Sequence, residues 1–380
     1  MRKLCQDRSY SEYLRNLFAR FSPRILDAPL SDFSKLNSSA ADYCEVSPRS
    51  ANEVSEIVQL AAQNGVLLRV RGHGHALNGS SLPQPSELVV QTRELTEVRF
   101  ESNKTVSAGA GRVLWSVDAW LQPHGYSLPV LNEGYAGPSV GGYVAAGGFG
   151  LGSEVAGGFW DNVAEVTVIN GEGRILRVSR EAPLFPWLFG SMGQLGIIVE
   201  AKLDIVPRSA AAPLTNFHPI NAANPNRLEG VAHDDAGRLF WFTLFVLESK
   251  LATARTQLDS LEARYCNTFA FRKRYTYFIP HRRVVAPLLW PYRSAFYFVG
   301  SWGILENVGS TYIQRVMDFD ADFTSLALAN GYRRYVQTEV PSGPALYKRY
   351  FGPKVYSLFN EWKRTQDPYN IINRRWVFEQ

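Results

Sequence analysis

Two glycine-rich stretches and a pair of histidines are the residues of this sequence that point most directly to chemistry. Residues 71–79 read RGHGHALNG, and residues 138–150 read PSVGGYVAAGGFG. Glycine has no Cβ and tolerates positive φ, so the backbone can approach a ligand closely. Free N–H groups in such loops form concave anion sites. Two of these loops in one domain predict a ligand with a long polar middle, such as a dinucleotide pyrophosphate.

The spacing of these glycines differs from the common nucleotide-binding fingerprints. Counted from Gly72, the sixth position is Leu77, and counted from Gly148 it is Ser153, so neither stretch fits G-x-G-x-x-G. The sequence also has no G-x-x-x-x-G-K-[S/T] phosphate loop. For either loop taken alone, an ordinary glycine-rich turn is the alternative interpretation.

Taken together, the two loops resemble those of the FAD-linked oxidases of the vanillyl-alcohol-oxidase type, which carry a PCMH-type FAD-binding domain. The cytokinin dehydrogenase and berberine-bridge-enzyme branches are the most similar. In that family, an Arg-x-x-Gly-His-[Ser/Asp] loop carries a histidine bonded to the flavin 8α-methyl carbon, and His75 takes that place here. Ala76 departs from the usual Ser or Asp. The resemblance therefore implies FAD as the cofactor, attached covalently through His75.

Two other interpretations of the histidine pair stay open at this point. His75 can pack against the flavin without a bond, or His73 and His75 can ligate a metal. Zinc sites use three or four protein ligands, and no third ligand is visible nearby, so no metal is expected.

The resemblance implies a set of FAD-binding residues, and it covers about residues 40–208 and 345–375. Besides the two loops, the matching motifs are residues 160–163 (WDNV), residues 188–198 (LFGSMGQLGII) and a segment from Tyr350 to Asn370. The residues expected to bind FAD are Arg71, Gly72, His73, Gly74, His75, Ala76, Asn78, Gly79, Ser80, Pro138, Ser139, Val140, Gly141, Gly142, Ala145, Gly148, Phe149, Ile198 and Asn370.

The same resemblance bears on the chemistry beside the flavin. Gly137 stands where the berberine-bridge branch often has a Cys with a second flavin link, so a single link is expected. Val140 takes the place of the family's oxygen gate, which leaves oxidase and dehydrogenase both open. Glu133 lies within about one residue of a carboxylate that cytokinin dehydrogenases place before the second loop.

Glu133 is therefore the first candidate for the catalytic base that accepts a proton while a hydride leaves to flavin N5. An exposed loop carboxylate is the alternative interpretation of Glu133. Tyr347 and Tyr350, near the C-terminal return to the flavin, are the other catalytic candidates.

A regular α/β unit precedes the first loop and delivers it. Residues 50–53 (SANE) predict a capping box, the apolar spacing from Val54 predicts a helix, and Gly65 predicts its end. Residues 66–70 (VLLRV) then predict a strand whose C-terminal end leads into the His75 loop. Further strands are predicted over 88–91, 105–108, 163–170, 174–178 and 197–206, with a helix over 112–121. These elements predict two small α+β subdomains that clamp the cofactor.

The predicted fold class is α+β: a two-subdomain FAD-binding domain of the vanillyl-alcohol-oxidase type and a substrate (cap) domain. In the cap, strands at 239–246, 295–299 and 332–338 and helices at 249–265 and 311–328 predict an antiparallel sheet with helices on one face. Its many aromatic side chains either fill the core or wall a flat substrate. The predicted boundaries are 1–37 (N-terminal helix and connector), 38–208 (FAD-binding domain), 209–344 (cap domain) and 345–380 (C-terminal segment returning to the FAD-binding domain).

Bulk properties narrow the function classes. The chain has 380 residues and a net charge of +5, and its basic clusters are short and separated, so no nucleic-acid partner is expected. No apolar stretch is long enough for a membrane span, and the polar N-terminus does not resemble a signal peptide, which predicts a cytoplasmic enzyme without a membrane partner. Its three cysteines, Cys5, Cys44 and Cys266, are expected to be free thiols. The oligomeric state stays open.

The sequence as a whole predicts an FAD-dependent oxidoreductase with a small-molecule substrate. It would move a hydride from a C–H next to N or O, in an amine, alcohol or sugar-like molecule, to flavin N5, with reoxidation by oxygen or another acceptor. The alternative is an FAD-binding protein of the same fold with a structural or ligand-binding role and little turnover.

Overall fold

The structure, a computed structural model, describes residues 8–132, 137–211, 238–305, 312–336 and 344–374. The strands in these ranges are β1 (Arg24–Leu26), β2 (Tyr43–Val46), β3 (Leu67–Arg71), β4 (Glu87–Gln91), β5 (Val98–Ser102), β6 (Thr105–Gly109), β7 (Tyr126–Ser127), β8 (Leu131–Asn132), β9 (Gly150–Leu151), β10 (Val163–Ile169), β11 (Ile175–Ser179), β12 (Ile197–Asp204), β13 (Val206–Pro207), β14 (Arg238–Val246), β15 (Ala270–Ile279), β16 (Phe296–Leu305) and β17 (Arg333–Arg334). The α-helices are α1 (Arg8–Leu17), α2 (Ala51–Asn64), α3 (Leu114–Leu121), α4 (Val140–Ala146), α5 (Ser153–Ala156), α6 (Phe185–Leu188), α7 (Leu251–Tyr265), α8 (Tyr312–Asn330), α9 (Pro344–Phe351) and α10 (Pro353–Gln366).

Two sheets make up the N-terminal half of the fold. The first has the order β1-β2-β4-β3, with β2, β4 and β3 parallel and β1 antiparallel. The second has the order β11-β10-β12-β6-β5, and all its pairs are antiparallel. A third, antiparallel sheet, β15-β16-β14-β17, forms the cap. The mixture of helices with separate parallel and antiparallel sheets confirms the predicted α+β class.

The α2–β3 unit has the local chemistry that the sequence predicts. The Ser50 hydroxyl accepts a hydrogen bond from the Glu53 N–H (3.1 Å), and Gly65 ends the helix at a φ of 63°. The predicted capping box is wrong in one detail. The Glu53 carboxylate accepts from the N–H of Arg49 (2.7 Å), one residue before the cap, and not from the N–H of Ser50. The chain then enters β3, which begins at Leu67 rather than at Val66.

The C-terminal segment closes the open edge of the first sheet. The Leu68 N–H donates to the Ile371 carbonyl (2.8 Å), and the Asn373 N–H donates to the Leu68 carbonyl (2.9 Å). A buried ion pair holds this segment, because Lys363 Nζ lies 2.6 Å from the Asp367 carboxylate and also donates to the Ile372 carbonyl (2.7 Å). An unpaired sheet edge is thereby covered.

The cap confirms the predicted antiparallel sheet with helices on one face. Phe242, Leu244 and Val299 pack with residues of α7 and α8 in one cluster. Phe245 and Phe298, on the other face, belong to the cluster that also includes residues of α4, β6 and β12. The cap sheet therefore lies with its aromatic face against the N-terminal half of the fold.

Several element predictions need correction. Helix α3 begins at Leu114, not at residue 112, because residues 109–112 form a turn. Strand β16 extends to Leu305, and β12 ends at Asp204 before a separate short pairing of β13 with β7. Of the strand predicted over 332–338, only Arg333–Arg334 pairs with β14 in the described part of the chain, and 337–338 lie outside it. Strand β15 was not predicted, since its Arg-Lys-Arg run resembled a surface cluster.

Candidate functional site

The first glycine loop, residues 72–80, leaves the C-terminal end of β3. Asn373 supports the end of this strand, because its Oδ1 accepts from the Val70 N–H (2.9 Å). The Nδ2 of Asn373 donates to the carbonyls of Met192 and Gly193 (3.1 Å each), which precede β12. One side chain thus joins the first sheet to the second directly behind the loop.

The two glycine loops meet at Gly72 and Ser139. A Cβ at Gly72 would overlap the Ser139 hydroxyl oxygen, so a side chain at residue 72 would displace this hydroxyl from its place. Ser139 is the N-cap of α4, and its hydroxyl accepts from the Gly142 N–H (3.3 Å). Two loops that are more than sixty residues apart in the sequence are therefore in direct contact at the site that was predicted to bind the cofactor.

A third segment, the turn at residues 109–112, lies between the two loops. The Nε2–H of His73 donates to the Gly111 carbonyl oxygen (3.0 Å), which fixes the tautomer because a carbonyl only accepts. On the other side, the Val140 N–H donates to the Arg112 carbonyl (2.8 Å), and the Gly141 N–H donates to the Ala110 carbonyl (2.9 Å). The turn holds the first loop and the second loop in one unit.

His75 is half-buried at the middle of the first loop. The ring of Phe33 lies against its imidazole, with centroids 4.2 Å apart. Asn78 is 1% exposed; its Oδ1 accepts from the Ser80 N–H (3.1 Å), and its Nδ2 donates to the Val336 carbonyl (3.0 Å). The loop is therefore fixed on both sides of His75, from the N-terminal connector and from the cap.

The charge at the meeting point is positive. Burial, followed by the nearby charge of Arg93, lowers the pKa of Arg71, and burial lowers the pKa of Arg112. Burial also lowers the pKa of His73, and the charges of Arg93 and Arg71 act in the same direction, against the hydrogen bond to Gly111. His73 is thus neutral at neutral pH, whereas the arginines supply the positive charge that attracts an anion.

The guanidinium of Arg71 is also a scaffold for the loop. It donates to the Ser81 hydroxyl (3.1 Å) and to the Ser31 carbonyl (3.0 Å). Gly74 has a φ of 73°, and a Cβ there would overlap this guanidinium. Both residues therefore have a structural role in the shape of the loop.

Helix α4 presents a mixed face at the second loop. Val140 is fully buried, whereas Gly142 is exposed and Ala145 is half-buried. The Pro138 carbonyl accepts from the Leu114 N–H (3.0 Å), which fixes the entry to the helix. The exposed side of α4 is thus made of the small residues that were predicted to bind FAD.

Three other predicted FAD-binding residues lie in protein packing. A Cβ at Gly148 would overlap the ring of Tyr143. Phe149 packs on the cap, with its ring centroid 3.9 Å from that of Phe298. Ile198 is 6% exposed on β12, in the same cluster. Packing within the protein therefore accounts for the residue type at each of these three positions. Their contact with FAD stays a prediction.

Two of the three candidate catalytic residues belong to the core cluster that also contains Val140 and Phe149 of the second loop. Tyr347 and Tyr350 lie buried on α9, where both pack against the ring of Phe351. Glu133 lies outside the described residues, so its role stays a prediction. Asn370 lies in the turn after α10, with a φ of 49°, at the end of β3 remote from the His75 loop, because residue 372 pairs with Leu68 in parallel register.

Two residues of this region escaped the sequence interpretation. Arg112 was included in a helix, although the glycines at 109 and 111 directly after a strand signal a turn. Asn373 follows the Asp367–Asn370 motif and was not singled out. Its left-handed conformation, with a φ of 47°, is common for Asn but carries no signal in the sequence.

These features fit the FAD that the sequence implies. The Nε of Arg112 is buried and has no hydrogen-bond partner within the described part of the chain. Buried donors of this kind are nearly always satisfied in native proteins, so an acceptor such as a phosphate oxygen is expected there. Glycine loops beside a guanidinium are a donor set suited to an anionic group.

Comparison with known protein families identifies what this region is similar to. The family described as "FAD binding domain" matches residues 44–179, which include both glycine loops and the turn between them. Residues 44–179 are thus similar to FAD-binding domains. The matched region runs from β2 to β11. Strand β12 lies beyond it, although β12 pairs with β10 and β6 in the second sheet, and so do the connector before residue 44, the cap and the C-terminal segment.

The curated relatives of this region include proteins named as dehydrogenases and as FAD-linked or FAD-dependent enzymes. Cytokinin dehydrogenase 2 of Arabidopsis thaliana is 32% identical over 202 residues, which is 51% of this chain and 40% of the relative. D-lactate dehydrogenase of Archaeoglobus fulgidus is 28% identical over 177 residues, or 44% of this chain and 40% of the relative. An FAD-dependent monooxygenase of Aspergillus niger is 31% identical over 183 residues, which is 47% of this chain and 30% of the relative. The chain thus spans well under half the length of these relatives.

The cysteines, the helices and the possible metal ligands of the described ranges bear on the remaining predictions. Cys44, which is buried, and Cys266, which is exposed, are free thiols, as expected, and Cys5 lies outside these ranges. No helix there is long and apolar enough to cross a membrane. No group of three or more His, Cys, Asp or Glu side chains there is placed to hold a metal ion. Cytoplasmic location and the absence of nucleic-acid and membrane partners stay predictions.

Proposed function

We propose that this protein is an FAD-linked oxidoreductase that takes a hydride from a carbon bearing N or O. The observation that carries the proposal is the meeting of the His75 loop and the Ser139 loop within an FAD-binding domain. When bound, the flavin supplies the hydride acceptor at N5. Amines, alcohols and sugar-like molecules are the proposed substrate classes, with oxygen or another acceptor for reoxidation.

The chain's own groups are assigned as follows. The guanidinium of Arg112 and the N–H groups at the start of the Gly72 loop would hold the pyrophosphate, and His73 would remain a neutral scaffold bonded to Gly111. Glu133 is the proposed base that removes the substrate proton, with Tyr347 and Tyr350 as alternatives. A positioned base accelerates such a step by about 10²–10⁴-fold.

We also propose that FAD is attached covalently through His75, at a single point because residue 137 is Gly rather than Cys. His75 would supply the imidazole nitrogen of a C–N bond to the 8α carbon, with the loss of one proton from each partner. Dioxygen would accept the two electrons released, together with two protons, as hydrogen peroxide.

The aromatic face of the cap supports a flat substrate. Trp241, Tyr275 and Tyr277 are half-buried on the face that is turned toward the FAD-binding domain. Tyr275 stacks on Phe298 with a centroid distance of 5.2 Å, and its hydroxyl lies 2.9 Å from the Thr243 hydroxyl. Aromatic walls with a few fixed polar groups are typical of small-molecule sites.

Anaerobic mixing of the purified flavoprotein with candidate substrates tests the function. The first panel holds D-2-hydroxy acids and cytokinins, the groups named for relatives, followed by amines, alcohols and sugars. Bleaching of the oxidised flavin band by one class, and its return on admitting oxygen or an artificial acceptor, is the expected result. A protein that binds FAD but is bleached by none of these classes would instead favour the structural or ligand-binding role.

A further inference from the structure

The His75 loop is covered by a segment that lies outside the matched FAD-binding domain. Residues 31–39, here named the strap, precede β2 and run across the loop. The Phe33 N–H donates to the Ala76 carbonyl (3.0 Å), so strap and loop are joined through the backbone one residue from His75. The side chain of Asn37 makes a second link, because its Nδ2 donates to the Leu77 carbonyl (3.3 Å). The strap is thus attached to the loop at consecutive residues.

Asp32 organises the strap and the far end of the loop together. Its Oδ2 accepts from the Gly79 N–H (3.0 Å) and from Asn37 Nδ2 (2.7 Å), and its Oδ1 accepts from the Ser34 hydroxyl (2.6 Å). The side chain is 4% exposed, and burial raises its pKa, against the effect of these hydrogen bonds. A buried carboxylate at this position fixes the loop backbone because it accepts a hydrogen bond directly from the Gly79 N–H.

Phe33 is the residue of the strap that touches the imidazole. Its ring centroid lies 4.2 Å from that of His75, with 33° between the ring planes. An imidazole on a two-bond tether can rotate about χ1 and χ2, and a ring packed on one face removes most of that freedom.

We propose that the strap is a positioning element for the flavin bond, in which Phe33 fixes the plane of the His75 imidazole and Asp32 fixes the loop that carries it. The proposal rests on the covalent attachment proposed above. Bond formation needs a nitrogen lone pair aimed at one carbon, so a held imidazole reacts faster than a rotating one. Phe33 and Asp32 act through His75 and are positioning residues rather than catalytic ones.

The test follows the rate of attachment after FAD is added, in air, to flavin-free protein from riboflavin-limited cells. The readout is the fraction of flavin that stays with the acid-denatured pellet, and noncovalent FAD affinity is measured separately at early times. Phe33→Leu keeps an apolar side chain and loses the ring, whereas Phe33→Tyr keeps the ring. The matched control is Phe100→Leu, which removes a ring that is 39% exposed and lies beside Trp120 and His124.

The expected result is attachment slowed by about 2- to 10-fold in Phe33→Leu, the range that one aromatic pair accounts for. Phe33→Tyr and Phe100→Leu should attach FAD at the wild-type rate, and early noncovalent affinity should be equal in all four proteins. Phe33→Leu at the wild-type rate would overturn the proposal while leaving the covalent link in place. Wild-type protein whose flavin is wholly released by acid would overturn both the link and this proposal, and the anaerobic bleaching assay would still decide the oxidoreductase function.

Asp32→Asn gives a second, independent variant for the case in which Phe33→Leu does not fold. The amide keeps the size of the side chain but weakens the acceptance from Gly79, so attachment should again be slower. Amide hydrogen exchange at residues 77–80 should rise, while exchange in α7 stays unchanged. Asp27→Asn is the control, because that carboxylate is 71% exposed and lies beside Arg8. Unchanged exchange and unchanged attachment in Asp32→Asn would refute the role of the strap.

Discussion

Gly72 packs directly against Ser139: a Cβ at residue 72 would overlap the Ser139 hydroxyl oxygen and lie 3.3 Å from the Ser139 Cβ. This contact joins the two glycine loops at the N-terminus of α4, where Ser139 caps the helix. The residue types at both positions are thus set by one close approach. Flavin binding and the fold of the loops are expected to respond together when either residue changes.

Gly72→Ala should lower both stability and FAD occupancy, because the added methyl group overpacks the contact with Ser139. Overpacking of this kind costs about 1–3 kcal/mol of the free energy of unfolding. Ser139→Ala alone removes a helix cap and should cost about 1 kcal/mol. In the double variant, part of the Gly72→Ala loss should be recovered, which denaturant unfolding measures as a coupling energy. Strict additivity of the two losses would contradict the direct contact.

Gly141→Ala should destabilise the junction between α4 and the turn at 109–112. A Cβ at residue 141 would lie 2.8 Å from the Ala110 Cβ and 3.2 Å from the Ala110 carbonyl oxygen. Ala110→Gly removes the first of these contacts, so the double variant should regain much of its melting temperature. Restored stability without restored FAD binding would assign Gly141 to the pyrophosphate; restoration of both would assign it to protein packing alone.

The His73 side chain should make the apoprotein less stable as the pH falls below neutrality. Its pKa in the folded state is lowered from the usual 6.5, first by burial. Between the lowered value and 6.5, the unfolded chain binds more protons than the folded one, so the free energy of unfolding decreases as the pH falls through that window. The loss is at most about 1.4 kcal/mol per pH unit.

Urea denaturation at pH 7.5 and at pH 5.5 measures this effect. His73→Gln should lose less stability between the two pH values than the wild type, although it is less stable at pH 7.5 if the bond to Gly111 is weakened. His124→Gln is the matched control, since His124 is exposed. Equal pH dependence in His73→Gln and wild type would show that His73 is not the titrating group.

Trp241→Leu should impair substrate binding and leave the flavin in place. Trp241 is half-buried on the cap face that is turned toward the FAD-binding domain, with Tyr335 at a centroid distance of 6.0 Å. Loss of one aromatic contact to a flat substrate should raise KM by about 2- to 10-fold, with little change in the flavin spectrum. Met317→Leu, on the outer helix α8 at 49% exposure, is the control. An unchanged KM for every accepted substrate would remove this face from the substrate site.

The sequence predicted the local parts of the site well. The α2 cap at Ser50, the stop at Gly65 and the loop after β3 follow from short-range rules, and all three are confirmed. The strap was described only as a connector, because its residues are polar and lack periodicity. The partners of Asp32 lie up to 47 residues away along the chain, and no local pattern announces such a contact.

In the cap, too, some elements were predicted from the sequence and one strand was not. Its helices and its first strand were predicted within a few residues, since long periodic segments are the most reliable. β15 was missed because a basic run interrupts its aromatic alternation. The base of the proposed reaction stays unassigned by structure, because Glu133 lies outside the described residues.

Asn373 has a consequence for the biogenesis of the protein. It supports Val70 at the root of the His75 loop and ties that strand to residues 192 and 193. A ribosome synthesises residue 373 well after the His75 loop. The loop therefore receives this support late in synthesis, and stable incorporation of the cofactor is expected to follow the synthesis of residue 373.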